Sequence, residues 1–189
     1  GLWQRFFERP VAQVLLTPDA PRNRRRDLKA RATPLGLLRR DAIPVVNEND
    51  TVSVDELKLG DNDNLAAFVA ALVDADLLLI ASDVPGLYTA NPRSDPSARP
   101  VEEVGTITEA VLAMAGGAGS AIGTGGMATK LQAAAKAAGA GIQTVLFDGT
   151  DADALRLMAH GSMRGTLVGA NLSRLAARKH WLRHAPATP

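Results

Sequence analysis

Two short bursts of acids and amides dominate the chemistry this chain can offer: Asn47-Glu48-Asn49-Asp50 and, a little further on, Asp61-Asn62-Asp63-Asn64 after Gly60. Carboxylates at Glu48, Asp50, Asp61 and Asp63 attract an ammonium group. Carboxamides at Asn47, Asn49, Asn62 and Asn64 orient a carboxylate or carbonyl. A pocket for an amino acid needs both kinds of group, so the pattern suits such a ligand. A helix cap by Asp61 is the plainer reading, yet it leaves Asp63 and the amides without a purpose. A calcium loop fails, because Leu65 and Ala66 stand where a further oxygen ligand and a glycine are required.

The second informative stretch is GTGGMATK, Gly123 to Lys130. Gly123, Gly125 and Gly126 let backbone approach a ligand closely, and a helix opening at Met127 would turn free N–H groups toward an anion. Helical side chains lean toward the N-terminus, so Lys130 reaches back to the same anion. The spacing is neither that of the Walker loop nor GxGxxG. A flexible turn before an amphipathic helix is the bland alternative; the lysine one turn into the helix favours phosphate, with Thr124, Gly125, Gly126, Met127, Ala128, Thr129 and Lys130 as the candidate residues. Ser82 and Asp83 end the most apolar run, DLLLIAS, where open parallel sheets bind ligands. Asp83 there is either an acceptor for a ribose or adenine amine, or a turn residue before Val84 and Pro85.

These residues need a scaffold, and composition says which. With 189 residues, 46% hydrophobic but 4% aromatic, the core must be built from Ala, Leu, Val and Ile, which favours helices on a buried sheet. Strand signals at 11–17, 43–47, 76–82, 141–147 and 165–169 alternate with helical ones at 27–40, 61–73, 107–115, 127–138 and 151–160. The expectation is an α/β protein, a three-layer α/β/α sandwich with a largely parallel central sheet, in which 76–82 is a central strand apolar on both faces. Pro34 and Gly36 predict a kink or late start in the first helix. TVSVDELKL, 51–59, reads as a short ribbon. The division expected is a catalytic domain over 1–169 and a basic C-terminal tail over 170–189.

With 0 Cys, thiolate chemistry and a disulfide scaffold are excluded. No apolar run reaches the roughly 18 residues a membrane span requires, so a cytoplasmic protein without membrane contact is expected. The formal net charge of +1 argues against a nucleic-acid partner. RNRRRD, Arg22 to Asp27, has no aromatic platform near it and reads as a solvated loop or subunit contact. His160, His180 and His184 show no triad or metal spacing.

Taken in order, IPVVNENDTV, LKLGDNDNLAA, ASDVPGLYTANPR and GTGGMATKLQAA closely resemble the glutamate 5-kinase group of the amino acid kinase family. The resemblance implies transfer of the ATP γ-phosphoryl to the side-chain carboxylate of L-glutamate, giving glutamyl 5-phosphate for proline synthesis, with Mg²⁺ on the nucleotide. It implies Asp50 and Asn62 on glutamate, with Asp61 and Asn47 beside them. Ser82, Asp83 and the loop from Thr124 to Lys130 would hold ATP. Lys130 would stabilise the moving phosphoryl, and Asp63 would organise the catalytic lysines. Proline feedback, with Glu56 as a participant, and a homo-oligomer are further implications. The resemblance also leads us to expect a catalytic domain incomplete at its N-terminus, since nothing in Gly1 to Val11 matches the family's strand with a second catalytic lysine, and no RNA-binding-like domain follows. The alternative is a noncatalytic fragment or regulatory subunit that binds nucleotide or glutamate.

Overall fold

The apolar runs Val11–Leu16 (β1) and Ile43–Glu48 (β2) pair in parallel, with Val11 opposite Ile43 and Leu16 opposite Glu48. Parallel neighbours require a crossover, and the helix Arg24–Leu38 (α1) supplies it and packs on both strands. The computed structural model describes residues 2–16, 24–49, 61–116 and 126–170, with backbone alone for 24–29. A 3-10 helix, Leu2–Phe6, precedes β1. α1 starts earlier than the sequence suggests and runs through Pro34, whose ring is fully buried. The missing N–H at Pro34 removes one intrahelical bond, and burial of the ring offsets part of that loss.

A second sheet is built from Leu77–Ser82 (β3), Glu103–Val104 (β4), Gln143–Asp148 (β5) and Thr166–Val168 (β6), in the order β3-β5-β6-β4. β3 with β5 and β4 with β6 are parallel, whereas β5 and β6 are antiparallel. The mostly parallel α/β arrangement expected from the sequence is therefore present, with one reversed strand pair. The helices are Asn62–Leu72 (α2), Glu109–Met114 (α3), Met127–Gly139 (α4) and Ala154–Ala159 (α5).

β5 is the strand buried on both faces. Leu146 joins the main core with Leu78, Ile80, Leu87, Leu131 and Val168, while Val145 and Phe147 face the other way against Ala154 of α5. Helices thus cover β5 from two sides, the three layers anticipated. The expectation for β3 is corrected: its residues alternate, with Leu78 and Ile80 buried but Leu77 45% and Leu79 39% exposed, and it lies at the edge of its sheet among the described residues. A run of leucines has no polar positions to mark one face as open, so the sequence could not reveal this.

α2 and α4 lie against each other over the sheet. The reason is size: Ala133, Ala134 and Ala137 of α4 and Ala67 and Ala70 of α2 are buried, letting the helix backbones approach closely. Leu131, wholly buried, anchors α4, a contribution of about 2 kcal/mol. This close packing sets the N-terminal turns of the two helices beside each other.

The long connection after β3 is a clasped excursion rather than a free loop. Leu87 and Val101 pair through Val101 N–H to Leu87 O at 2.9 Å. Thr166 of β6 holds both: its buried hydroxyl accepts from Leu87 N–H at 2.8 Å and donates to Val101 O at 2.6 Å. The backbone approach that permits this clasp requires Gly165, whose φ is +140° and where a Cβ would sit 2.1 Å from Leu146 O.

Candidate functional site

α2 begins at the acidic burst, and the first question is what starts the helix there. Asp61 is the N-cap: its Oδ1 accepts from Asn64 N–H at 2.7 Å. Asn62 follows at the first helical position and is exposed. Asp63, one residue on, points across to α4.

α4 opens at Gly126, which has extended backbone and supplies no side-chain cap. Gly126 thus leaves the amides of Met127 and Ala128 without a cap from its own side chain, and helix-start amides of this kind suit an anion. Met127 packs on the core, Ala128 is exposed and Thr129 is buried. This donor set fits a phosphate group.

The two helix starts are joined by a cation. Lys130 Nζ donates to Asp63 Oδ2 at 3.0 Å, and the Thr129 hydroxyl places its single proton between Gly126 O at 2.7 Å and the same Asp63 oxygen at 3.2 Å. The Lys130 and Asp63 side chains are 12% and 16% exposed. The Lys130 ammonium is held by the Asp63 carboxylate in a largely buried pair. Residues 67 apart in the sequence thus form one electrostatic unit at the edge of the core.

The other candidates occupy separate positions. Asn47, on β2, is exposed. Ser82 ends β3 and its hydroxyl donates to Asp83 at 3.3 Å; its carbonyl accepts from Gly149 N–H at 2.8 Å, which ties the ends of β3 and β5 together. Asp83 is exposed and lies 4.0 Å from Arg93 across the clasped excursion. At the end of β5, Asp148 accepts from the Thr150 hydroxyl and backbone N–H, and these bonds, the hydroxyl's first, hold its carboxyl below the ordinary range. Asp50, Thr124 and Gly125 lie outside the described residues, as do Glu56, the 51–59 ribbon and the tail from 171 onward.

One reading of the acidic burst is corrected. Asn64 was expected to orient a ligand, but it is 6% exposed and both ends of its amide are engaged within the protein. Its Oδ1 accepts from Lys136 Nζ at 2.7 Å, and its Nδ2 donates to both oxygens of Asp61, at 3.2 and 3.1 Å. Lys136 itself escaped sequence reading, since no local motif surrounds it. No signal in the sequence marks it, because its partner Asn64 lies 72 residues away and is met only where α4 packs on α2.

Among the described residues there is no group of three His, Cys, Asp or Glu side chains able to hold a metal ion, and no helix is long and apolar enough to cross a membrane.

Comparison with known proteins bears on what this arrangement belongs to. The sequence profile described as "Amino acid kinase family" matches residues 7–148, which include both helix starts and the ion pair between them. The chain belongs to the amino acid kinase family. Similar amino acid kinase sequences include the glutamate 5-kinase of Xanthomonas campestris, 67% identical over all of this chain and 52% of that protein. The glutamate 5-kinase of Xylella fastidiosa is 62% identical over all of this chain and 49% of that protein. The chain spans about half the length of the curated relatives it matches. Among solved structures, UMP kinase from Bacillus anthracis superposes with a TM-score of 0.60 at 17% identity, over 91% of this chain and 63% of that one. Isopentenyl phosphate kinase from T. acidophilum gives 0.55 at 15% identity, over 85% and 60%. These two likenesses establish the amino acid kinase fold.

Proposed function

We propose that the protein containing this chain is a glutamate 5-kinase, transferring the γ-phosphoryl of ATP to the side-chain carboxylate of L-glutamate to give glutamyl 5-phosphate, the first step of proline synthesis. The observation that carries this reading is the Asp63–Lys130 pair, because it links the acid- and amide-rich burst to the glycine-opened helix start at a single cation. High identity to proteins named glutamate 5-kinase supports the choice of substrate.

The chemistry follows from charge. A carboxylate nucleophile attacking a phosphoryl group brings several negative oxygens together and leaves little for a general base to do, so positioned cations and amide dipoles must lower the barrier. Lys130 is assigned to the charge that spreads over the moving phosphoryl, and Asp63 to holding the Lys130 ammonium in place. The first amides of α4, with Thr124 to Thr129, are assigned to the phosphates. Ser82 and Asp83 are assigned to the nucleoside. Asp50, Asn62, Asp61 and Asn47 are assigned to glutamate, acids toward its ammonium and amides toward its carboxylates. Mg²⁺ enters as part of the MgATP substrate, held mainly by the nucleotide phosphates.

The test is to express the full reading frame that holds this chain and supply MgATP with glutamate, aspartate or N-acetylglutamate, trapping acyl phosphate as hydroxamate. Hydroxamate with glutamate well above the other two is expected. Equal product with aspartate, or none with glutamate, would remove the reading.

A further inference from the structure

The mechanism above uses one of the two lysines that α4 directs at α2, and leaves the other without a purpose. Lys136 Nζ donates to Asn64 Oδ1 at 2.7 Å. An ammonium only donates and a carboxamide has one acceptor end, so this contact dictates which way the Asn64 amide faces. With its oxygen on Lys136, its NH₂ must turn to Asp61, where it meets Oδ1 at 3.2 Å and Oδ2 at 3.1 Å. Asn64 is 6% exposed, so water has little room to replace either partner. The Asn64 backbone N–H adds a third bond to Asp61, at 2.7 Å. Both oxygens of Asp61 are thereby aimed by a chain that begins on α4.

We infer that Lys136 is a positioning residue for amino-acid recognition: acting through the Asn64 carboxamide, it fixes the Asp61 carboxylate and the exposed Asn62 beside it in the orientation that receives the substrate's charged groups. This rests on the reading in which the start of α2 faces glutamate. Lys130 and Lys136 then divide the work along one helix. Lys130 is fixed by Asp63 for the phosphoryl end, and Lys136 fixes the substrate end without touching substrate.

A merely structural lysine would affect both substrates or neither, and that difference is measurable. In the full reading frame, Lys136→Met should raise the glutamate KM by about tenfold, as expected for loss of one charge-assisted bond in a positioning chain, with the ATP KM and kcat within about twofold. Lys136→Arg, whose guanidinium also donates, should recover most of the glutamate affinity. A parallel rise in both KM values, no rise at all, or Lys136→Arg behaving like Lys136→Met would overturn the inference. A readout independent of turnover separates its failure from that of the kinase reading. In ¹⁵N-labelled protein the Asn64 side-chain NH₂ should give a resolved, slowly exchanging proton pair that collapses toward free-amide values in Lys136→Met and returns in Lys136→Arg. If glutamate were not phosphorylated but this signature held, the kinase reading would fall and the lysine-to-amide coupling would stand; an Asn64 signature unchanged by Lys136→Met would sink the coupling itself.

Discussion

Removing either partner of the Asp63–Lys130 pair should cost far more than removing both. The pair lies at 3.0 Å with side chains 12% and 16% exposed. At that separation an effective dielectric constant near 20 gives an attraction of about 5 kcal/mol, and the loss of hydration on burying two ions offsets most of it. The intact pair is therefore close to neutral relative to two uncharged side chains of similar size. Asp63→Asn, however, leaves the Lys130 ammonium in a mostly dry site with only an amide to meet it, at an expected cost of about 2–3 kcal/mol. Lys130→Met leaves the Asp63 carboxylate with the Thr129 hydroxyl as its remaining side-chain donor, at about 1–2 kcal/mol. The double variant should lie within about 1 kcal/mol of the parent, a coupling of roughly 3 kcal/mol. Urea unfolding followed by far-UV circular dichroism on the four proteins measures this. Single costs that simply add in the double variant, within about 0.5 kcal/mol, would refute the claim that the two residues act as one unit.

Two other features make independent predictions. Thr166→Val keeps shape but removes both bonds of the clasp on Leu87 and Val101, and should cost about 1–3 kcal/mol while speeding hydrogen exchange at the Leu87 amide. Thr166→Ser should restore most of both. For Asp148 the sign is fixed by its lowered carboxyl: the turn it makes with Thr150 contributes stability above the ordinary carboxylate pKa and loses it as pH falls through the folded value. Thr150→Val should move the Asp148 carboxyl-carbon titration upward toward the ordinary value, and an unmoved midpoint would show that the hydroxyl is not the cause.

How much of this was legible in the sequence depends on whether the information was local. Lys130 was found because the glycines before it and one helical turn of separation are enough to place a cation near a helix start. Asp61 was legible as a cap for the same reason. The pairing of Asn64 with Lys136 was not, because it joins residues 72 apart through the crossing of two helices whose closeness depends on buried alanines. Leu77 and Leu79 misled for the opposite reason: apolar side chains look buried wherever they stand, and only the sheet order shows that β3 is an edge among the described residues. β4, two residues long, and the reversed pairing of β5 with β6 carry no periodicity to detect. Thr166 was hidden by its ordinary role in strands, where a threonine fits the pleat whether or not its hydroxyl holds anything.

The central claim, that Lys130 serves the phosphoryl group and not the amino acid, is tested most directly by Lys130→Ala in the full reading frame, with kcat from hydroxamate trapping and glutamate affinity from calorimetry on the same preparation. Loss of about 10²–10³-fold in kcat, the scale for removing one preorganised stabiliser of transition-state charge, with glutamate affinity within about threefold of the parent, is the expected result. Turnover that survives Lys130→Ala, or glutamate binding that disappears with it, would contradict the account.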